Sequence, residues 1–308
     1  MPIGALTGAL SARLSAWADK QNANTVGAVL IVLSSVTVAA LMGAVRELGQ
    51  TYPIWQIMLA RAGGQLLLLL PFMARGRWQM LRTEKLGWHI SRVVTAYMGL
   101  LGWFYSIAHL RLADAMGLSF SKALFVVGLA ALLFHERPGV IGWGATLVGF
   151  AGVLIMVGPS GDSGTALAGI VGIAAAAAGA ITTMNIKYLT RTETTATMMA
   201  YPAIGLTVLA GIPSVVTWVP ITLEATPLFV LSILSGIVTQ WCFITAYRYG
   251  EMSVLATVEY VRLVTAALAG YLLFGEVPTP WAFFGIVLIV TASFVSIRRE
   301  RIRAGIFH

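Results

Sequence analysis

Apolar residues in this chain come in blocks of about 20, separated by short polar or turn-forming stretches. A helix of that length crosses a hydrocarbon core of roughly 30 Å, and it satisfies its own backbone hydrogen bonds in lipid. The pattern predicts ten spans. The first five run Thr25 to Leu48, Tyr52 to Ala74, Arg92 to Leu110, Leu112 to Phe134 and Pro138 to Gly158. The second five run Ala166 to Leu189, Thr194 to Trp218, Thr226 to Tyr249, Ser253 to Phe274 and Pro278 to Ser296. Short connections between them imply one bundle, an all-α membrane protein.

Composition agrees: 58% of the 308 residues are hydrophobic and 10% charged, against roughly 25% charged in a soluble domain. The net charge of +8 acquires a meaning once the spans are numbered from a cytoplasmic N-terminus. Fifteen basic residues then fall on inner segments, from Arg13 and Lys20 through Arg92 and Arg137 to Arg303, and only Arg46 and Arg111 on outer ones. By the positive-inside rule both termini are cytoplasmic, so the basic excess orients the chain and no nucleic-acid partner is expected. Leu6, Leu10, Leu14 and Trp17 recur at helical spacing, which fits a short surface helix or a disordered tail. No secretory leader is expected. The single cysteine, Cys242, lies inside a span and offers neither a disulfide nor a cysteine metal site.

Arg61, Lys122 and Arg262 fall well inside spans two, four and nine, and Glu259 is the one comparably deep acid. A cation near the bilayer centre costs roughly 2.5 to 3.5 kcal/mol, so such residues face a partner or a wet cavity. The chain also repeats itself. Leu132-Leu133-Phe134-His135-Glu136-Arg137-Pro138 aligns with Leu272-Leu273-Phe274-Gly275-Glu276-Val277-Pro278 at an offset of 140, which also sets Lys122 over Arg262, Ser119 over Glu259 and Arg61 over Tyr201. Five spans per half is odd, so the halves are expected to be inverted relative to each other, as in carriers that expose a midplane site alternately to each side. The organisation expected is a cytoplasmic segment 1–24, repeats 25–160 and 161–298, and a basic tail 299–308.

The run from Leu118 to Gly158, LSFSKALFVVGLAALLFHERPGVIGWGATLVGFAGVLIMVG, its fainter copy from Val254 to Ile297, and Pro53 followed by Arg61 resemble the EamA type of the drug/metabolite transporter superfamily. The resemblance covers nearly the whole chain. It implies a central cavity bordered by spans one to four and six to nine, and secondary transport across the bacterial inner membrane by proton coupling or exchange. It implies no cofactor, and no phosphate-binding G-x-x-x-x-G-K-[ST] loop is present. The Leu118 to Leu133 region is similar to bacterial carriers of vitamin or nucleoside-type metabolites such as riboflavin or S-adenosylmethionine, and amino-acid and drug exporters share the scaffold.

Lys122 and Arg262 are the leading candidates for substrate contact, because the repeat sets them at equivalent depths on cavity-bordering helices. They suit a carboxylate, phosphate or zwitterion. The alternatives are that Lys122 snorkels to an interface and that Glu259 neutralises Arg262 from three residues away. Arg61 could grip a carboxylate with its planar fork or brace neighbouring helices. Glu259 is the proton-coupling candidate, since burial favours the neutral acid and an adjacent cation the carboxylate. Tyr97, Trp103, Tyr201, Gln240, Trp241 and Tyr260 complete the expected wall, and Trp55, Trp78, Trp88, Trp218 and Trp281 read as an interfacial belt. Gly142, Gly144, Gly149 and Gly152, with the Ala174 to Ala178 run, read as close-packing faces.

Enzyme readings find little support. Gly161-Asp162-Ser163-Gly164 looks like the nucleophile segment of a trypsin-like protease but sits in a turn-rich loop. His89, His109, His135 and His308 form no metal spacing. An intramembrane lipid-modifying enzyme would need a cluster of acids, histidines or a nucleophile, and a channel would not need inverted repeats. The expected partners are a small-molecule substrate and the bilayer, with homodimerisation left open.

Overall fold

Each block's self-contained hydrogen bonding makes the described apolar segments helical. The structure, a computed structural model, describes residues 23–74, 81–109, 118–157, 166–274, 281, 283–292 and 294–295, and no strand occurs among them. Helix α1 spans Ala23–Leu48, α2 Ile54–Ala74, α3 Leu86–His109, α4 Lys122–Leu133 and α5 Gly139–Val157. Helix α6 spans Ala166–Leu189, α7 Thr195–Val216, α8 Thr226–Tyr249, α9 Met252–Val258 and α10 Val261–Phe274, and α11 covers Phe283–Ala292. Among the described residues six stretches are long and apolar enough to cross a membrane, lying in α1, α2, α6, α7, α8 and the α9–α10 run. Shorter apolar helices cover Leu118–Leu133, Gly139–Ile155 and Phe283–Ala292. The N-terminal segment before residue 23, the Gly161–Ser163 loop and the basic tail lie outside the described residues.

Two boundaries depart from the sequence reading. Helix α3 starts at Leu86 rather than Arg92, because Leu86-Gly87-Trp88-His89-Ile90 carries the helix on. Arg92 is therefore buried, at 4% exposure, where an inner-side boundary residue was expected. The ninth span is two helices with Glu259 and Tyr260 in a turn between them. There Tyr260 N donates to Thr257 O at 3.3 Å, Arg262 N to Glu259 O at 3.0 Å and Leu263 N to Tyr260 O at 3.0 Å, the i to i+3 pattern of a tightened turn. Neither Gly nor Pro stands at the break. Packing accompanies it: the Tyr260 ring fills the space at Gly149 of α5, where a Cβ would lie 2.6 Å from ring carbon Cδ2. Gly152 lets α5 approach α11, while Gly144 faces open space.

The helices pair in a pattern that survives exchange of the two halves. Helix α1 packs on α8 and α3 on α6, which are each other's counterparts if spans one to five match spans six to ten. The pairs α2–α8 and α3–α7 match in the same way, as do α1–α10 and α4–α6, while α2–α7 and α4–α9 map onto themselves. Hydroxyl bridges follow suit: Thr95 and Thr182 join α3 to α6 at 2.8 Å, and Thr37 and Thr239 join α1 to α8 at 2.7 Å. Cys242 of α8 is fully buried.

Polar braces crowd the end of the bundle where α1 begins. Arg92 Nη1 donates to Met198 O at 2.6 Å, Gln65 Nε2 to Met199 O at 2.9 Å, and Thr83 Oγ1 to Glu193 Oε1 at 2.6 Å. Glu251 N donates to Asn24 Oδ1 at 2.6 Å. The Glu136 carboxylate accepts from both Met252 N, at 2.8 Å, and Ser253 N, at 2.9 Å, satisfying donors that the first turn of α9 cannot satisfy itself. At the opposite end, bonds between the halves include Gln56 Nε2 to Val219 O at 2.6 Å and Thr222 N to Tyr52 OH at 3.0 Å.

Candidate functional site

Helical geometry decides which side chains reach the interior, since each residue turns the face by about 100°. A cavity of about 600 Å³ lies inside the bundle. On α3 its wall takes Thr95, Gly99 and Trp103; on α8 it takes Gly236, Thr239, Gln240 and Phe243. These are positions three to four apart on one face each. Of the residues anticipated from sequence, Arg61, Trp103, Lys122, Gln240, Glu259, Tyr260 and Arg262 all line the cavity.

Three anticipated aromatics lie elsewhere, each for a reason of face. Tyr97 is off the Thr95–Gly99 face, and its ring is 6.3 Å from that of Trp55. Trp241 is one step round from Gln240 and packs against the apolar core. Tyr201 precedes the lining residues Pro202 and Ala203; it stacks on His89 with ring centroids 4.1 Å apart and donates to Leu81 O at 2.7 Å. Among the belt residues, Trp88 stacks on Tyr188 at 4.2 Å.

The charged groups fall into two arrangements. Lys122 Nζ donates to Glu259 Oε2 at 2.9 Å, and Arg262 Nη1 lies 4.0 Å from the same oxygen. The hydroxyl of Tyr247, one turn beyond Phe243 on α8, donates to Glu259 Oε1. The Phe243 ring centroid is 5.4 Å from Lys122 Nζ and 5.0 Å from Arg262 Cζ, within reach of cation–π attraction. Glu259 thus hydrogen-bonds across to another helix while staying ion-paired with Arg262 on its own span, and Lys122 is held inward rather than extended to an interface. Both cations follow a tightened turn: Ser121 N donates to Leu118 O at 3.1 Å just before Lys122, as Tyr260 does before Arg262.

Arg61 stands apart. It makes no hydrogen bond or ion pair with any described residue, and its Nε is buried without a partner. Its guanidinium lies against Gly236, where an added Cβ would come within 3.4 Å of Nε. The buried Tyr260 hydroxyl and Arg262 Nε also lack partners. With Arg92 included, the described wall holds four cations and one acid, an excess of three positive charges. Among the described residues no cluster of histidine, cysteine, aspartate or glutamate could hold a metal ion.

Arg92, Phe243 and Tyr247 were not singled out from sequence. Phe243 and Tyr247 continue the helical face set by Gly236 and Gln240, a signal that was present. Arg92 required the earlier start of α3.

Residues 25–158 and 166–298 each match the EamA-like transporter family. The chain is 28% identical over 244 residues to a riboflavin transporter of Vibrio cholerae, covering 77% of this chain and 80% of that one. It is 26% identical over 285 residues to an S-adenosylmethionine uptake transporter of Rickettsia bellii, covering 92% and 97%. To a pseudopaline exporter of Pseudomonas aeruginosa it is 29% identical over 281 residues, covering 89% and 97%. A crystal structure at 19% identity superposes with a TM-score of 0.73 over 90% of this chain and 98% of that one, which shows a shared fold. With apolar helices built to lie in a bilayer and two family matches that together span most of its length, this integral membrane protein belongs to the EamA-like transporter family.

Proposed function

We infer that the protein is a secondary transporter, with ten spans in two inverted repeats over 25–160 and 161–298, that moves a small organic metabolite bearing an anionic or zwitterionic group. Arg61 is the observation that carries this reading: a guanidinium on the cavity wall with no partner among the described residues suits an anionic ligand. Gln240 and Tyr260 on the same cavity wall offer polar groups, and Trp103 and Phe120 offer apolar surface. The exchange-symmetric helix pairing and the braced end support alternating access, the braces holding the cytoplasmic side shut when both termini are cytoplasmic. The named relatives carry three different cargoes at similar identity, so the substrate is approached through site chemistry. Their setting supports a bacterial inner-membrane location.

The test is a thermal-stability screen of purified protein against metabolites, because a ligand selective for the folded state raises stability by mass action. It is repeated on Arg61→Ala, Lys122→Ala and Arg262→Ala. Hits are then assayed for saturable counterflow in proteoliposomes, which a channel would not show. A stabilising anion or zwitterion whose effect at mildly alkaline pH vanishes in Arg61→Ala is the expected result. A neutral or cationic hit that stabilises all four proteins equally would make the buried cations structural.

A further inference from the structure

Glu259 occupies a position built for a bound carboxylate. One oxygen accepts from Lys122 at 2.9 Å and faces Arg262 at 4.0 Å, the other accepts from Tyr247, and Phe243 backs both cations. Two cations, a hydroxyl donor and an aromatic face would serve an incoming anion equally well. Resting on the reading of this cavity as an anion pathway, we propose that Glu259 is an internal stand-in for the substrate's anionic group, displaced when it takes up a proton, so that one proton and one anion bind together.

Charge balance favours that coupling. Before binding, Lys122, Arg262 and the Glu259 carboxylate sum to one positive charge. An anion arriving alone would set two carboxylates against two cations in a desolvated site, with like-charge repulsion between them. A proton passing from solution to Glu259 removes one of those negative charges, and the arriving anion restores it at the same cations. The sum is again one positive charge, so neither an orphaned cation nor a crowded pair of anions is left in the low-dielectric interior. The groups facing Glu259 are Lys122 from α4, Tyr247 from α8, and Arg262 and Tyr260 from its own span; α5 approaches with the uncharged Thr146, which bonds Thr257 at 2.9 Å. Among the described residues its ion-pair partners are Lys122 and Arg262.

The Arg61→Ala background isolates this position by removing the free cation on which the functional reading rests. With benzoate as probe and full-length protein in detergent, Arg61→Ala should gain thermal stability at mildly acidic pH, where protons are more abundant, and gain none at mildly alkaline pH. A pH indicator in weak buffer should register one proton taken up per benzoate bound. Adding Glu259→Gln should make the benzoate response equal at both pH values and abolish the proton uptake. Wild type provides a reading free of any folding defect: its benzoate affinity should strengthen by up to about tenfold per pH unit on acidification. A double variant blind to benzoate, proton uptake that persists in it, or a wild-type affinity indifferent to pH would each overturn the proposal. An Arg61→Ala protein that keeps the full alkaline response of wild type would instead sink the reading of Arg61 as the anion receptor, while the Glu259→Gln comparison would still decide the stand-in.

Discussion

Arg61 and the Lys122–Arg262 pair line one cavity, yet the protein treats their charges differently. Lys122 and Arg262 share the Glu259 carboxylate, fixed from its other side by Tyr247. Arg61 has no such partner among the described residues and rests beside Gly236, a residue with no side chain to offer. A cation at membrane depth costs a few kcal/mol unless it is compensated, so the paired arrangement meets its cost within the protein itself. The solitary one meets it only with water or a ligand. The contrast separates charge the fold needs from charge kept for binding.

Breaking the pair should have the largest effect. Lys122→Met leaves Glu259 facing only the more distant Arg262, and unfolding measurements should show a loss of about 3–5 kcal/mol, the cost of stranding one member of a buried pair. Combining it with Glu259→Gln should recover most of that loss, since removing both partners of a buried pair is close to neutral. Arg61→Leu sharpens the comparison from the other side. Its unliganded stability should equal or exceed that of wild type, while the affinity for an anionic ligand should fall by about 2–5 kcal/mol in a binding assay. Tyr247→Phe, which deletes one hydrogen bond to a charged acceptor, should cost about 1.5–3 kcal/mol in the same unfolding assay. Gly236→Ala should have the smallest effect, pressing a methyl toward Arg61 Nε and weakening ligand affinity with little change in stability.

The buried charges were legible because Arg61, Lys122, Glu259 and Arg262 each interrupt an otherwise apolar run. Their partnerships were legible only in part. Sequence proximity pointed to Glu259 with Arg262, a pair the structure keeps at 4.0 Å, whereas the hydrogen bond to Lys122 across the bundle comes from the turn at Glu259–Tyr260, which carries no Gly or Pro to announce it. The aromatic wall was legible in part. Trp103 and Tyr260 face inward, and Tyr97, Tyr201 and Trp241 do not, because membership of a span says nothing of face until a neighbour's orientation is known. The motif repeat holds a subtler trace. His135 adopts a left-handed backbone with φ 57°, a conformation that favours glycine, and the aligned residue in the second copy is Gly275.

The solitary thiol of Cys242, sealed within α8, makes this chain a ready background for site-directed labelling. Cysteines introduced one at a time at the ends of the spans would react with membrane-impermeant maleimides without interference from the native thiol. Labelling intact cells and then inverted vesicles would map which ends face which compartment, with no native cysteine that must be removed first.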